Sequence, residues 1–494
     1  MKWQTGDGAM VIQRIYRSIP FQLCLVVAVL WIFHRLSPVL IEHYQISLQV
    51  NKVTAPIFGS PARDLNKWIV LPIIVFVLYI YLIRTILKSE LSIPTPVILA
   101  ITIGLKVTID VSVTMINGQF LPPITNHGVA QYLTDVPKFT SLGDILKNYT
   151  TKANQLTTHA GTHPPGPVLT LWITTKYFGY DRLTKAFLII FTAPISLIPL
   201  YLIAKQIFDK RVAFYTLALY LVTPNIVLLT ATCMDAFYAV FLISSIYFYL
   251  LATKNRSVLL AILTGVLLTV SMFLTFATTF LGVYFITLTG FTYINNKKAL
   301  RSHLTTLCIS GITFCFVYLL MYATTGYNAI SCLMGAVYID EHGSSNHGGL
   351  GTGYETLSRY LFISATNFFA FFSCLGAITV TLWIRELIGT IQQIVSLKFK
   401  KSNMENPEDQ ESTSESINFL LAYVSSLIPI GFSTLYTAET ERIWIFMAPF
   451  ILIPTAKHLK KHIDLRQNHR IFYVTIILLF AQTVMFEIFL NTLW

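Results

Sequence analysis

His163-Pro-Pro-Gly-Pro167 followed by Val168-Leu-Thr-Leu-Trp172 carries the chain from a polar stretch without a basic cluster directly into apolar sequence. A histidine, two prolines and then membrane-seeking residues set a polar group at a membrane–water boundary. Proline withdraws a backbone donor and disfavours helix in the residue before it, so the sequence predicts an extended His163 just ahead of a helix. The apolar stretch 168–179 is too short to cross. About 12 residues of helix rise about 18 Å, against a hydrocarbon core of ~30 Å. It is therefore read as an interfacial helix, with Tyr177, Phe178 and Tyr180 at headgroup level.

The composition around this junction sets the class. Of 494 residues 54% are hydrophobic and only 12% charged, and the mean hydropathy is +0.63, which is the balance of an integral membrane protein. The apolar segments run ~20 residues rather than alternating in ~10-residue strands, so the fold expected is an all-α polytopic membrane helix bundle. Spans are expected at 19–36, 68–87, 95–115, 184–205, 212–230, 235–252, 257–272, 275–294, 303–323, 361–384, 417–436, 443–457 and 471–491. With about thirteen spans and a cytoplasmic N-terminus, Lys205/Lys210/Arg211, Lys254/Arg256, Lys297/Lys298/Arg301, Lys398/Lys400/Lys401 and Lys457/Lys460/Lys461 all fall on the cytoplasmic side. Counting 168–179 as a span would put Lys205 to Arg211 outside. The net charge of +12 is thus read as cytoplasmic loops rather than a nucleic-acid footprint. Lys2, Arg14 and Arg17 precede the first apolar stretch with no small-residue cleavage site after it, so a retained signal anchor is expected.

Three regions are expected: a transmembrane block over 1–397 with outer loops at 116–167 and 325–360, a disordered cytoplasmic linker over 398–416 (KFKKSNMENPEDQESTSES), and a three-span block over 417–494. No internal repeat of fixed period is visible. Most of the six cysteines (Cys24, Cys308, Cys315 and Cys374) lie in apolar segments without CxxC spacing, the pattern of small buried hydrophobes. Asn148-Tyr149-Thr150 is a glycosylation-type sequon, common by chance.

Polar residues gather on the expected outer face. The first loop carries Asp135 in Tyr132-Leu-Thr-Asp-Val-Pro137, then Asp144, His159 and His163. Asp235 opens a span. The second loop carries Asp340, Glu341, His342 and His347 beside the glycine-rich run 348–353. A third cluster, Glu439-Thr-Glu-Arg-Ile-Trp444, falls in a short turn between spans. Each has a plainer reading. His159 and His163 have the spacing of helical metal ligands, but Gly161 and the prolines argue against a helix, so no metal site is expected. The glycine-rich run lacks the lysine and the strand–helix setting of a phosphate loop. Lys106 and Asp110, four apart inside a span, suit an ion pair that aids helix packing, although intramembrane charge also marks function. Asp235 could serve the helix dipole, and Glu439, Glu441 and Arg442 could form an exposed ion-paired turn.

Taken together, these segments resemble the GT-C superfamily of polyprenyl-phosphate-sugar-dependent membrane glycosyltransferases, which includes protein mannosyltransferases and lipid A aminoarabinose transferases. Thr162-His-Pro-Pro-Gly-Pro167, Met234-Asp-Ala236 and Glu439-Thr-Glu-Arg-Ile-Trp444 are each similar to segments of bacterial members. The resemblance covers most of the chain in topology and about 30 residues in sharp motifs. It implies a GT-C-like bundle in a bacterial inner membrane, with the endoplasmic reticulum as the alternative, and an active site on the non-cytoplasmic face. It also implies a polyprenyl-phosphate sugar donor, a glycan, lipid or protein acceptor, contact with membrane lipids, no nucleic acid and no cofactor; a divalent metal is not supported. Members often carry a paired acidic motif early in the first loop, where this chain reads Thr125-Asn-His-Gly128.

The roles implied are chemically coherent. Sugar transfer needs a base for the acceptor's proton, for which Asp135 is the first candidate and Asp110 the reserve. The phosphate leaving group needs cations more than an acid, which points to Arg442 and Arg359, whose planar guanidinium groups match phosphate oxygens. His163 would orient a phosphate or sugar oxygen, while Asp235, Glu439 and Glu441 would bind sugar hydroxyls or position the arginine. The alternative is a membrane transporter or lipid flippase, but no inverted repeat or matched pair of broken helices is present. A non-catalytic scaffold gives no reason for carboxylates to meet Arg442.

Overall fold

The computed structural model describes residues 18–46, 55–57, 59–63, 65–89, 91–117, 132–229, 233–345, 347–348, 351, 355–399, 407–433, 436 and 439–491. They form an all-α bundle with only two-residue strand pairs, such as Ser60–Pro61 with Leu490–Asn491. In chain order the helices are α1 (Ile19–His43), α2 (Val70–Lys88), α3 (Thr95–Thr114), α4 (Leu142–Lys152), α5 (Thr158–Gly161), α6 (Gly166–Phe178) and α7 (Arg182–Thr192). Next come α8 (Leu197–Ile207), α9 (Lys210–Tyr220), α10 (Pro224–Leu228), α11 (Met234–Asn255), α12 (Val258–Leu274), α13 (Thr279–Asn295) and α14 (Lys297–Thr325). The last are α15 (Ala329–His342), α16 (Leu357–Leu375), α17 (Ala377–Phe399), α18 (Pro407–Gly431), α19 (Thr440–Ile443), α20 (Pro449–Arg466) and α21 (Arg470–Phe489).

Among the described residues eight helices are long and apolar enough to cross a membrane, or nine if one bent pair counts as a span. The stretches expected at 212–230, 257–272, 417–436 and 443–457 fold as shorter or more polar helices. The span expected at 361–384 is the bent pair: α16 and α17 meet at 107°. Gly376 makes the corner at φ +91°, a backbone region that L side chains rarely adopt. Gln482 of α21 repairs the break, donating to the Ser373 carbonyl at 2.7 Å and accepting from Ala377 N at 3.1 Å.

Two other expectations change. Helix extends to Phe399 and resumes at Pro407, within the stretch 398–416 expected to be disordered. Proline suits the first helical position. His159 sits on the helical turn α5 despite Gly161, because only four residues need to turn before the prolines stop them. His163 lies between α5 and α6, ahead of its helix as the prolines require.

The packing joins distant segments: α11 to α12, α12 to α14, α13 to α18, α9 and α17 to α20, and α16 to α19. The outward faces of α1 and α14 stay apolar, with Trp31, Val39, Ile312 and Phe316 exposed, as lipid contact requires. The two ends of the bundle differ. Asp235 starts α11 and Lys254 closes it; Arg442 precedes α20, whose far end carries Lys457 and Lys460. That second end is bound by ion pairs, Arg211 to Asp464 (3.3 Å), Lys460 to Asp209 (3.3 Å) and Lys457 to Glu386 (2.8 Å).

The 13-residue α6 spans about 20 Å. Its first residue, Gly166, lies against the end of α12, where a Cβ would overlap the Phe273 carbonyl oxygen. Backbone cannot yield as a flexible side chain would. Gly166→Ala should therefore cost about 1–3 kcal/mol, as overpacking does, and lower the melting temperature of detergent-solubilised protein. Melting identical to wild type would mean that the two backbones do not approach this closely.

Candidate active site

Three junctions between helices meet at the end of the bundle that holds Asp235. The first is α5. Asp135, fully buried, accepts from Thr157 N at 3.0 and 3.3 Å and from Thr157 Oγ1 at 2.6 Å, and pairs with Lys138 at 2.7 Å. These bonds hold the residue that precedes α5. From α4, Tyr149 donates to the Ala160 carbonyl at 2.7 Å. His159 and His163 then stack with ring centres 6.0 Å apart, and the Tyr132 ring stands edge-on to both at 5.9 Å.

The second junction is the start of α11. Cys233 caps the helix, its Sγ accepting from Asp235 N at 3.4 Å, and its thiol donates to Asp235 Oδ2 at 2.9 Å. A carboxylate in this first turn also faces the positive end of the helix dipole. The third junction is Glu439–Trp444. Glu439 takes a left-handed backbone, φ +62°, and its carbonyl starts α19 by accepting from Arg442 N and Ile443 N at 2.9 and 3.0 Å. Thr440 Oγ1 donates to the Asn367 carbonyl at 2.7 Å, and the fully buried Trp444 packs among Phe371, Tyr436 and Phe368.

Arg442 joins the three. Its guanidinium pairs with Asp235 through Nη1 and with Glu439 through Nη2, while Nε donates to Glu439 Oε2 at 3.0 Å. Nη2 also reaches His159 Nε2 at 3.3 Å. A guanidinium has no lone pair to offer, so His159 Nε2 is the acceptor and that ring carries its proton on Nδ1. Burial alone would lower the Arg442 pKa. Asp235 and Glu439, helped by Cys233 and Tyr132, more than offset it and hold the group well above its usual value.

The sequence-derived candidates divide accordingly. Asp235, Glu439 and Arg442 are in direct contact, and His163 stacks on His159 beside them. Glu441 is buried next to Arg442 on α19, where its carbonyl accepts from Asn225 of α10 at 3.2 Å. Asp110 is one step further away: Lys106, its ion-pair partner, also donates to the Ile226 carbonyl of α10 at 3.1 Å. Asp110 Oδ2 has no hydrogen-bond partner among the described residues. Asp135 binds its own loop rather than Arg442. Arg359 pairs with Glu355 at 2.9 Å, two helical turns before Asn367 on α16. Thr125 to Gly128 lie outside the described residues.

Sequence reading placed His159 only as a weak metal ligand. The four-residue spacing to His163 was the available signal, and it reports a stacked pair. Tyr132, Cys233 and Asn225 carried no signal of their own. Among the described residues no group of three or more His, Cys, Asp or Glu side chains is arranged to hold a metal ion.

Residues 162–322 match the family model described as Dolichyl-phosphate-mannose-protein mannosyltransferase. The match opens at the histidine–diproline junction and includes Asp235. Over that third of the chain the sequence is similar to this mannosyltransferase family. Solved structures similar to it are those of the Archaeoglobus fulgidus oligosaccharyltransferase. The apo form is 12% identical at a TM-score of 0.47, covering 80% of this chain and 56% of that one. The complex with Zn and sulfate is 14% identical at 0.49, covering 79% and 53%. AglB with an inhibitory peptide and a dolichol-phosphate is 12% identical at 0.46, covering 80% and 56%. The chain thus spans about half the length of those structures. No curated protein matches it.

Two outcomes follow from the cluster. Arg442→Met leaves buried Asp235 and half-buried Glu439 without their cation and should cost about 3–5 kcal/mol, the scale for breaking a buried pair. Asp235→Asn should cost less, because Glu439 remains. Equal melting of both variants with wild type would mean that the cluster does not form. Burial, partly opposed by Asp235, lowers the His163 pKa from 6.5 to about 4. Between those values the unfolded chain binds the extra proton, so this contribution is complete above pH 6.5 and declines as pH falls toward 4. The ring is only half-buried, so the slope is shallow. His163→Gln should flatten that part of the melting-temperature profile.

Proposed function

We propose that this GT-C protein transfers a sugar from a polyprenyl-phosphate donor to an acceptor at the non-cytoplasmic face of a bacterial inner membrane. The observation that carries the reading is the meeting of Arg442, Asp235, Glu439 and His159, from three distant segments, at the end opposite the basic clusters. Lysines and arginines tend to mark the cytoplasmic side, which supports reading the cluster as non-cytoplasmic. A lipid-linked phosphate sits at that depth because its charge cannot enter hydrocarbon cheaply while its prenyl chain prefers it.

In this reading the donor phosphate meets Arg442 by exchange. All three guanidinium nitrogens are already engaged, and Glu439 is their most exposed partner. The phosphate displaces the Glu439 carboxylate, which then accepts from a sugar hydroxyl. Asp235 stays with Arg442, and His163 meets a phosphate or sugar oxygen. Arg359 serves, if at all, a more distant part of the donor. The acceptor oxygen attacks the anomeric carbon, the bond from that carbon to the phosphate oxygen breaks, and polyprenyl phosphate leaves with the bonding pair. The acceptor's proton goes to a carboxylate. Asp110, with one oxygen open, suits this better than Asp135, whose oxygens hold Thr157 and Lys138. Asp135 is then a positioning residue for His159. The segments 1–397 and 417–494 act as one catalytic bundle, since Arg442 lies in the second and its partners Asp235 and His159 in the first.

The test is transfer from a panel of radiolabelled polyprenyl-phosphate sugars in reconstituted vesicles. Asp110→Asn should lower turnover about 10²–10⁴-fold, the range of acid–base help, in protein that still folds but melts lower because buried Lys106 loses its partner. Asp135→Asn should lower the melting temperature along with activity. Full activity in Asp110→Asn would remove that residue from the chemistry, and movement of donor across the vesicle without transfer would replace the enzyme with a carrier.

A further inference from the structure

The opposite end of the bundle holds a second concave polar feature, and the geometry points to its ligand: the cavity between α12 and α14 seats the phosphate headgroup of an anionic membrane lipid. Its volume is about 310 Å³, at the lower end of the small-molecule range. Arg256, Lys298 and Arg301 line it together with the hydroxyls of Thr305 and Thr306. None of its lining side chains is acidic, and none of the three cations forms an ion pair with a described residue. At this end Asp209, Glu386 and Asp464 are taken by Lys460, Arg211, Lys457 and His458, and Glu415 lines a neighbouring cavity with Lys254 and Ala299 rather than this one. Among the described residues three positive charges therefore converge without an ion-paired carboxylate.

The fold explains why the space exists. α12 and α14 run parallel and touch along their upper halves. Ser310 Oγ donates to the Ala261 carbonyl at 2.9 Å, and Tyr318 OH donates to the Thr269 carbonyl at 3.3 Å. Gly265 lets Ser310 and Thr313 approach, since a Cβ there would overlap both. Below Ala261 the helices enclose the cavity. Both also begin there, capped by Ser257 and Asn296, so two helix N-termini add partial positive charge to the three side chains.

A lipid fits better than a free anion because the cavity opens onto apolar helix faces. Ile309 lines it. Leu259 and Ile262 of α12 and Leu304, Ile312 and Phe316 of α14 are exposed beside and above it, a surface for acyl chains once the phosphate is seated. Basic pockets between membrane helices on the cytoplasmic side select anionic headgroups in this way. The site stands apart from the sugar-transfer reading: α12 carries it at one end and meets Gly166 at the other, about 25 Å away for 17 residues.

The experiment titrates full-length protein in neutral detergent with short-chain phosphatidylglycerol, short-chain phosphatidylcholine or inorganic phosphate, following binding by calorimetry and melting temperature. Phosphatidylglycerol should bind and stabilise, phosphatidylcholine and inorganic phosphate much less. Each cation replaced by glutamine should weaken phosphatidylglycerol about fivefold, and Arg256→Gln/Lys298→Gln/Arg301→Gln about a hundredfold. Thr305→Trp keeps every charge but fills the cavity, and should block binding even if the triple variant does not fold. Unchanged phosphatidylglycerol binding in Thr305→Trp, equal binding of phosphatidylcholine, or equal stabilisation by inorganic phosphate would each overturn the assignment.

Discussion

Arg442 is held where an unpaired guanidinium would be intolerable, and its end of the bundle is organised around that fact. Removing the group from water costs several kcal/mol, which only well-aimed carboxylates return. Asp235 and Glu439 supply them, and they come from a helix start and a left-handed turn far apart in sequence. A buried ion pair is weak evidence for stability, because apolar residues of equal volume often serve as well. Its effect here is positional: α5, α11 and α19 can meet in one arrangement only. The cluster carries two carboxylates against one guanidinium, with His159 neutral by its hydrogen bond. A phosphate added to that balance would be repelled, so it can enter only in exchange for a carboxylate.

The same end concentrates the interruptions of the helices. Backbone groups freed at membrane depth must be satisfied within the protein, because no water is there to do it. Each interruption has its own side chain for this purpose. Asn225 caps the Glu441 carbonyl, Asn367 donates to the Tyr436 carbonyl at 2.8 Å, and Thr440 serves the Asn367 carbonyl. Gln482 closes the Gly376 corner from both sides. Irregular backbone is what lets several short segments aim side chains at one point, and these amides and hydroxyls make it affordable.

Much of this was legible in the sequence, for identifiable reasons. Hydropathy runs of ~20 residues give helices wherever the chain is continuous, so α1, α2, α3 and α11 fall where expected. The prolines around His163 and the six residues from Glu439 to Trp444 mark two of the three junctions of the site. The corner at Gly376 was hidden because its flanks are as apolar as any span, and one glycine in such a run is normally tolerated. The distinct fates of Asp110 and Asp135 were also hidden. Both are carboxylates near the same loop, and what separates them is the set of neighbours brought by folding: Lys106 alone for one, and Thr157 with Lys138 for the other. Residue type offers a chemistry, and its partners decide whether that chemistry is spent on structure.

Arginine at the two ends of the molecule shows this most plainly. Arg442 is buried, neutralised and over-satisfied, so its own field extends little beyond its partners. Arg256 and Arg301 are exposed, form no ion pair with a described residue and stand with Lys298 at two helix starts, so their fields add. Screening limits exposed charges to about 10 Å, and a cavity between helices shortens that distance further by bringing the phosphate into contact. The first arrangement fixes a geometry before any ligand comes, and the second creates attraction that only a ligand can satisfy. One chain therefore uses the same side chain as a strut at one end of the bundle and leaves it open to a ligand at the other, and the difference lies in where the acidic residues fall.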